Sequence, residues 1–308
     1  MAGIADLHLG EFVPPLGASV LYLLLYRRRS LGLSAHGRPV ANWRRICFWI
    51  GVIALTVVQL PPLDGLCDGL LVAHMVQHIV IGDVASLLIV LGLSGPMLAP
   101  LLRMRCARLT RWLSHPLVAV TLWAADLYAW HLPVLYQLAI RDDLVHALEH
   151  ACMLWFGALL WLAVLGPLPK PHWFRGWGEL GYLILVRFLG AVLANALIWS
   201  QAVFYPVYRA PDAARGLSPL SDQSLAGGVM MIEQIVLTTA FLVWLFARLM
   251  RRDELRQSLL DLSSRRGVPL AGERAERAVA AGPAAAARLR ERVLHDSAPS
   301  RPGGGTHP

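Results

Sequence analysis

Five histidines lie in apolar stretches, where an imidazole is costly unless it has a partner. His74-Met75-Val76-Gln77-His78 and His146-Ala147-Leu148-Glu149-His150 each place two imidazoles four residues apart. On a helix they are about 40° apart and share one face. His131 sits in a third apolar stretch, Trp130-His131-Leu132-Pro133. Ionisable groups at membrane depth usually face a bundle interior or a cavity. Five imidazoles so placed point to a metal or haem site inside a membrane helix bundle. Imidazole suits copper, zinc, iron and nickel, and a nearby thioether tilts the choice to copper(I). Met75 adjoins His74, and Met153 follows His150 at i+3.

Two other chemistries fit part of the pattern. His146, Glu149 and His150 match H-x-x-E-H, the inverted zinc-peptidase pattern, in which Glu149 would be the general base. That reading needs a third ligand and leaves His74, His78 and His131 unexplained. Haem b would take one histidine from each of two facing helices, with Gly82 and Gly157 giving room at the ring edge. The chain has neither a cysteine cluster for iron–sulfur chemistry nor a methionine-rich tract for a thioether-lined copper channel.

The elements that must position these groups are membrane-length helices. Mean hydropathy is +0.52, 56% of residues are hydrophobic and 16% are charged. A bilayer takes about 20 apolar residues to cross. Seven runs approach this length, at about 14–30, 44–60, 69–93, 116–134, 144–166, 178–200 and 224–247. The expected fold is all-α: a polytopic bundle of seven transmembrane helices over residues 1–250, with a basic Ala/Arg-rich cytoplasmic tail over 251–308. Within that tail Glu273 to Asp296 has helix-forming composition, and Pro299 to Pro308 reads as disordered. The first run does not read as a cleaved signal peptide, because acidic Asp6 and Glu11 precede it.

The net charge of +8 follows the loops rather than forming a nucleic-acid patch. Arg27, Arg28, Arg29, Arg38, Arg44 and Arg45 fill the first loop, whereas the next carries only Asp64 and Asp68. Arg103, Arg105, Arg108 and Arg111 follow, then Arg141 beside Asp142 and Asp143, then Lys170 and Arg175. Loop 201–223 is balanced and the tail is basic. By the positive-inside rule the N-terminus is outside and the C-terminus inside. Cys47, Cys67, Cys106 and Cys152 are scattered, and only Cys67 lies in an outside loop, so no intramolecular disulfide is expected.

This topology sets depth. His74 and His146 lie about one turn below the outer surface, His78 and His150 about two, and His131 near the outer end of its span. All five share the outer third of the membrane. Glu149, Asp222 and Glu233 read as carboxylates that could orient the imidazoles from behind. Asp83 and Asp126 point instead to a structural ion pair with Arg187. Gly190, Ala191 and Ala194 read as small-residue helix packing. Trp43, Trp112, Trp130, Trp173, Trp177 and Trp199 read as interfacial anchors.

In order and spacing, His74 to His78, Gly92 to Pro96, Trp130 to Pro133 with Tyr136, His146 to His150 with Trp161, and Asp222-Gln223 with Ala226-Gly227 resemble the caa3-type cytochrome c oxidase assembly factor family. The resemblance covers about residues 10–250. It implies a multi-pass protein of the bacterial inner membrane that is not an enzyme. Its partners would be cytochrome c oxidase subunits or other assembly factors, and its task respiratory-chain biogenesis with a role in copper supply. Two positions depart from the family: Ser86, where proline is usual, and Met230-Met231-Ile232-Glu233, where an aromatic is usual.

Overall fold

A computed structural model describes residues 9–103, 107–168, 170–174 and 176–296; the side chains of 9–15, 62, 101, 172 and 283 are not described. Asp6, Arg105, Cys106, Arg175 and the 297–308 stretch therefore lie outside the described residues, as do the side chains of Glu11 and His172. The described residues are helices and connecting turns, with no strand among them.

Each expected apolar run falls on helix. The bearers are α1 (Leu9–Ala35), α2 (Asn42–Val57), α4 (Leu71–Ile79) running into α5 (Ser86–Gly92), α8 (Pro116–Trp130) with α9 (Pro133–Ala139), α10 (Asp143–Leu165), α11 (Trp177–Trp199) and α13 (Pro219–Arg265). Four are long and apolar enough to cross a membrane: Leu71–Gly92, α10, α11 and α13. The pair α8–α9 makes a fifth if its two arms count as one span. With 16 residues, α2 falls short of the usual crossing length. Short helices connect these, among them α3 (Pro61–Cys67) and α12 (Arg209–Ala214).

Local chemistry explains the ends that matter. Pro133 cannot donate a backbone hydrogen bond and suits the first turn of a new helix. The chain accordingly breaks after Trp130 and turns by 75° into α9, leaving His131 at the corner. Asp142 caps α10, its Oδ1 accepting from the amides of Leu144 and Val145 at 3.0 Å each. Asp222 of α13 does the same for α4 from 151 residues away, accepting from Leu71 N at 2.6 Å and Val72 N at 3.0 Å.

Between α4 and α5 the helix widens into a π turn, Val80–Ala85, just after His78. Such turns are frequent at functional sites. At this turn the Ser86 hydroxyl donates back to the Gly82 carbonyl. A Cβ on Gly157 of α10 would overlap that same carbonyl. Gly82 and Gly157, expected as room for a ring edge, thus let α10 and the π turn touch. Small residues also join α11 to α13, where a Cβ on Gly227 would lie 2.6 Å from the Ala194 carbonyl oxygen.

The chain divides into two compact units, Met1–Thr238 and Thr239–Pro308. In the second, α13 runs on as far as Arg265, beyond its apolar run. The Ala/Arg-rich stretch forms two helices rather than one, α14 (Gly272–Ala280) and α15 (Pro283–Asp296). They break at Gly282, which adopts φ 108° ahead of Pro283. Leu259, Ala275, Val279, Ala286 and Leu289 form a small core there.

Candidate metal centre

The i,i+4 spacing works as the sequence suggests. Within α4 the His74 and His78 rings are 4.2 Å apart, and within α10 so are those of His146 and His150. The two faces meet: His74 lies 5.3 Å from His146 and 6.5 Å from His150, and His78 lies 5.6 Å from His150. His131, at the α8–α9 corner, joins at 6.4 Å from His78. All five imidazoles form one contiguous cluster. His74, His78, His131 and His150 are buried, and His146 is half-buried.

Glu149 sits among the rings rather than behind them. Its Oε2 lies 3.9 Å from His74 Nε2 and 3.7 Å from His78 Nε2. These separations are too long for hydrogen bonds. Two atoms each about 2.0–2.2 Å from one ion lie about 3.3 Å apart in a tetrahedral arrangement and about 4 Å apart in a linear one. Two ligand groups result, His74 with His78 and Glu149, and His74 with His146 and His150, each with its ligand atoms within 4.8 Å of one another. His74 belongs to both.

The polar bookkeeping fits a cation. Glu149 is fully buried, and neither of its carboxylate oxygens has a hydrogen-bond partner. Both ring nitrogens of His74 and of His78, and Nε2 of His131, His146 and His150, are also buried without one. Buried polar groups are normally satisfied, and a lone carboxylate is costly. His131 Nδ1 lies 2.7 Å from the Leu127 carbonyl oxygen. A carbonyl only accepts, so Nδ1 carries the proton and Nε2 keeps the lone pair a metal needs.

Other residues hold this set in place; Tyr136, Gln77 and Gln223 belong to the motifs singled out in the sequence, whereas Tyr205 and Tyr208 do not. Tyr136 of α9 packs 5.1 Å from His74 and 4.1 Å from Tyr205. Tyr205 OH donates to the His131 carbonyl at 2.9 Å. Tyr208 OH donates to the Cys67 carbonyl at 3.0 Å and lies 3.1 Å from Tyr136 OH. Gln77, inside the first histidine pair, donates to the Val58 carbonyl and to Asp64. Gln223 accepts from the Phe204 amide at 2.8 Å. Asp222-Gln223 therefore ties α13 to the start of α4 and to the loop that carries the tyrosines.

Several expected roles fall elsewhere. Asp222 caps α4 and approaches no imidazole through its bonds. Glu233 makes the close ion pair with Arg187, at 3.3 Å; Asp83 lines the same cavity and feels the same guanidinium charge, whereas Asp126 turns to Trp130. Asp126 accepts from Trp130 Nε1 at 2.9 Å. Trp130 is accordingly buried and is no interfacial anchor, whereas Trp43, Trp112, Trp173, Trp177 and Trp199 are exposed. Met75 is buried beside His78 on a cavity of about 60 Å³ that Met153, Asp83, Arg187 and Glu233 also line. Burial, reinforced by Asp64 and Asp68, pushes the Cys67 thiol up to about 12, which leaves it protonated and a poor ligand.

Two curated relatives match, an uncharacterized protein of Mycobacterium bovis and one of Mycobacterium tuberculosis. Each is 24% identical over 262 residues, covering 78% of this chain and 39% of the relative. The chain thus spans well under half the length of these relatives. No solved structure matches. The family described as Cytochrome c oxidase caa3 assembly factor matches residues 20–252, which include every residue of the histidine cluster. Over three-quarters of its length, and through the whole of that cluster, the chain belongs to the cytochrome c oxidase caa3 assembly factor family.

Proposed function

We propose that this chain holds copper at the histidine cluster and supplies it to cytochrome c oxidase during assembly in the bacterial inner membrane. One observation carries the reading: a fully buried Glu149 without hydrogen-bond partners, beside His74 and His78, whose ring nitrogens are equally unpartnered. A cation satisfies them together. Imidazole with Met75 close by favours copper, and Cu(I) in particular. The copper is cargo, so the site must bind it tightly enough to load and loosely enough to hand on. The partners are the oxidase subunits or companion assembly factors. Elemental analysis of protein purified from oxidase-producing cells should find about one copper per chain. Zinc without copper, or a Soret band from haem, would overturn the metal assignment.

Topology is part of this proposal. Seven spans, with the N-terminus outside and the C-terminus inside, put the cluster in the outer third of the membrane. In this arrangement α1 and α2 cross despite the arginines of α1 and the shortness of α2, and α8–α9 crosses as one bent span. A reporter active only in the cytoplasm should be active when placed after Arg252 and silent at Asp64. The reverse pattern would move the cluster to the opposite face.

A zinc peptidase is the second reading, and one observation favours it. His74 comes beside His146 and His150 and so supplies the third ligand that H-x-x-E-H requires.

A further inference from the structure

Away from the histidines lies a second cavity, of about 390 Å³, walled by α1, α2, α5 and α10 and by the helix Gly95–Arg103. Its lining is apolar except at one end. On α1 the lining residues Tyr22, Leu25, Tyr26 and Arg29 recur at helical spacing, and on α10 they run from Leu154 to Leu162. At 1.5 Å per residue these stripes are about 10–12 Å long. Leu25 and Trp155 form a rim and are 53% and 60% exposed, so the cavity opens sideways, where bilayer would be. Tyr26 stacks on Phe48 at 3.8 Å and spends its hydroxyl on the Gly92 carbonyl, which fixes the floor.

The polar end is basic. Arg29 lines the cavity there, whereas Arg27 and Arg28, which precede it on α1, are exposed and do not line it. Arg29 Nη2 donates to the Pro96 carbonyl at 3.0 Å, which anchors the guanidinium at the mouth. A guanidinium has five donors in a planar fork suited to phosphate. Arg44 lies over Trp43 at 4.4 Å, and Trp43 is exposed as an interfacial tryptophan should be. An apolar trough about ten ångströms long, ending at the Arg29 guanidinium, complements one kind of membrane molecule: an acyl chain below an anionic headgroup.

We propose that this groove is a binding site for an acidic phospholipid, with an acyl chain between α1 and α10 and its phosphate on Arg29. The groove is separate from the histidine cluster, so the lipid secures α1 against the bundle rather than taking part in metal handling. The probe is full-length protein in vesicles of equal phosphatidylglycerol and phosphatidylcholine, extracted in mild detergent, with retained lipids counted by native mass spectrometry. Wild type should retain phosphatidylglycerol over phosphatidylcholine by about fivefold, the effect expected of one arginine near an anionic headgroup. Ala158→Trp fills the trough and should retain neither lipid. Arg29→Gln should retain lipid but bind the two headgroups equally, and it decides the matter if Ala158→Trp fails to fold. Equal retention of both lipids by wild type, retention unchanged in Ala158→Trp, a preference that survives Arg29→Gln, or an isoprenoid recovered in place of phospholipid would each overturn the proposal.

Discussion

His74→Ala is expected to abolish copper retention and, with it, oxidase maturation. The expectation follows from position. His74 is fully buried and is the one imidazole shared by both ligand groups, so its loss opens both at once. It also leaves Glu149 buried with one fewer counter-group. Losing an outer partner of a ligand typically weakens a metal site by about 10–100-fold, and losing a shared ligand should exceed about 100-fold. His146→Ala touches one group only and should retain more copper than His74→Ala. His36→Ala changes an exposed histidine outside the cluster and should leave copper and oxidase unchanged. Copper per chain by elemental analysis, read beside oxidase activity and protein yield in the same membranes, checks the series. Wild-type copper and oxidase in His74→Ala would sink the metal-site reading, and equal losses in all three variants would mean the cluster acts through stability.

The histidine pairs were legible because an i,i+4 repeat in an apolar helix leaves few choices of face. Two such pairs on long apolar helices had to find partners in the bundle or stay unsatisfied. His131 was legible as an imidazole in an apolar stretch, but the run 116–134 reads straight through the break at Pro133. The size of that turn was not legible, since a proline ends a helix without fixing the direction of the next. Asp222 shows the limit most clearly. Its place near the outer end of an apolar helix suggested a partner for an imidazole, yet its bonds go to two backbone amides 151 and 150 residues away. No local pattern announces a cap given by a distant helix. Glu233 shows the same limit, since its partner Arg187 lies 46 residues away on another helix; Trp130, read as an interfacial anchor, is instead buried and donates to Asp126 one turn back. Tyr205 and Tyr208 lie in a loop between helices, where periodicity carries no information, so their contacts with the site needed three dimensions.

Glu149→Gln separates metal handling from hydrolysis, and the two readings predict opposite signatures. If Glu149 helps hold the ion, the amide keeps an oxygen that can ligate but removes the negative charge the imidazoles face. Affinity should then fall by about 10–100-fold, a range typical of a perturbed site that keeps its other ligands. Copper content and oxidase maturation should fall together, and copper added to the medium should restore both, because mass action refills a weakened site. If Glu149 is the base of a zinc peptidase, His74, His146 and His150 still hold the metal after the change. Metal content should then stay near wild type while function disappears, and no amount of copper should bring it back, because a missing base cannot be replaced by occupancy. The geometry favours the first outcome. Glu149 Oε2 lies nearly equidistant from His74 Nε2 and His78 Nε2, and the carboxylate is fully buried. A base needs a water on one side and a substrate within reach, whereas a ligand needs only an ion placed between it and the neighbouring imidazoles. Full metal occupancy with lost function and no rescue by copper would reverse that conclusion.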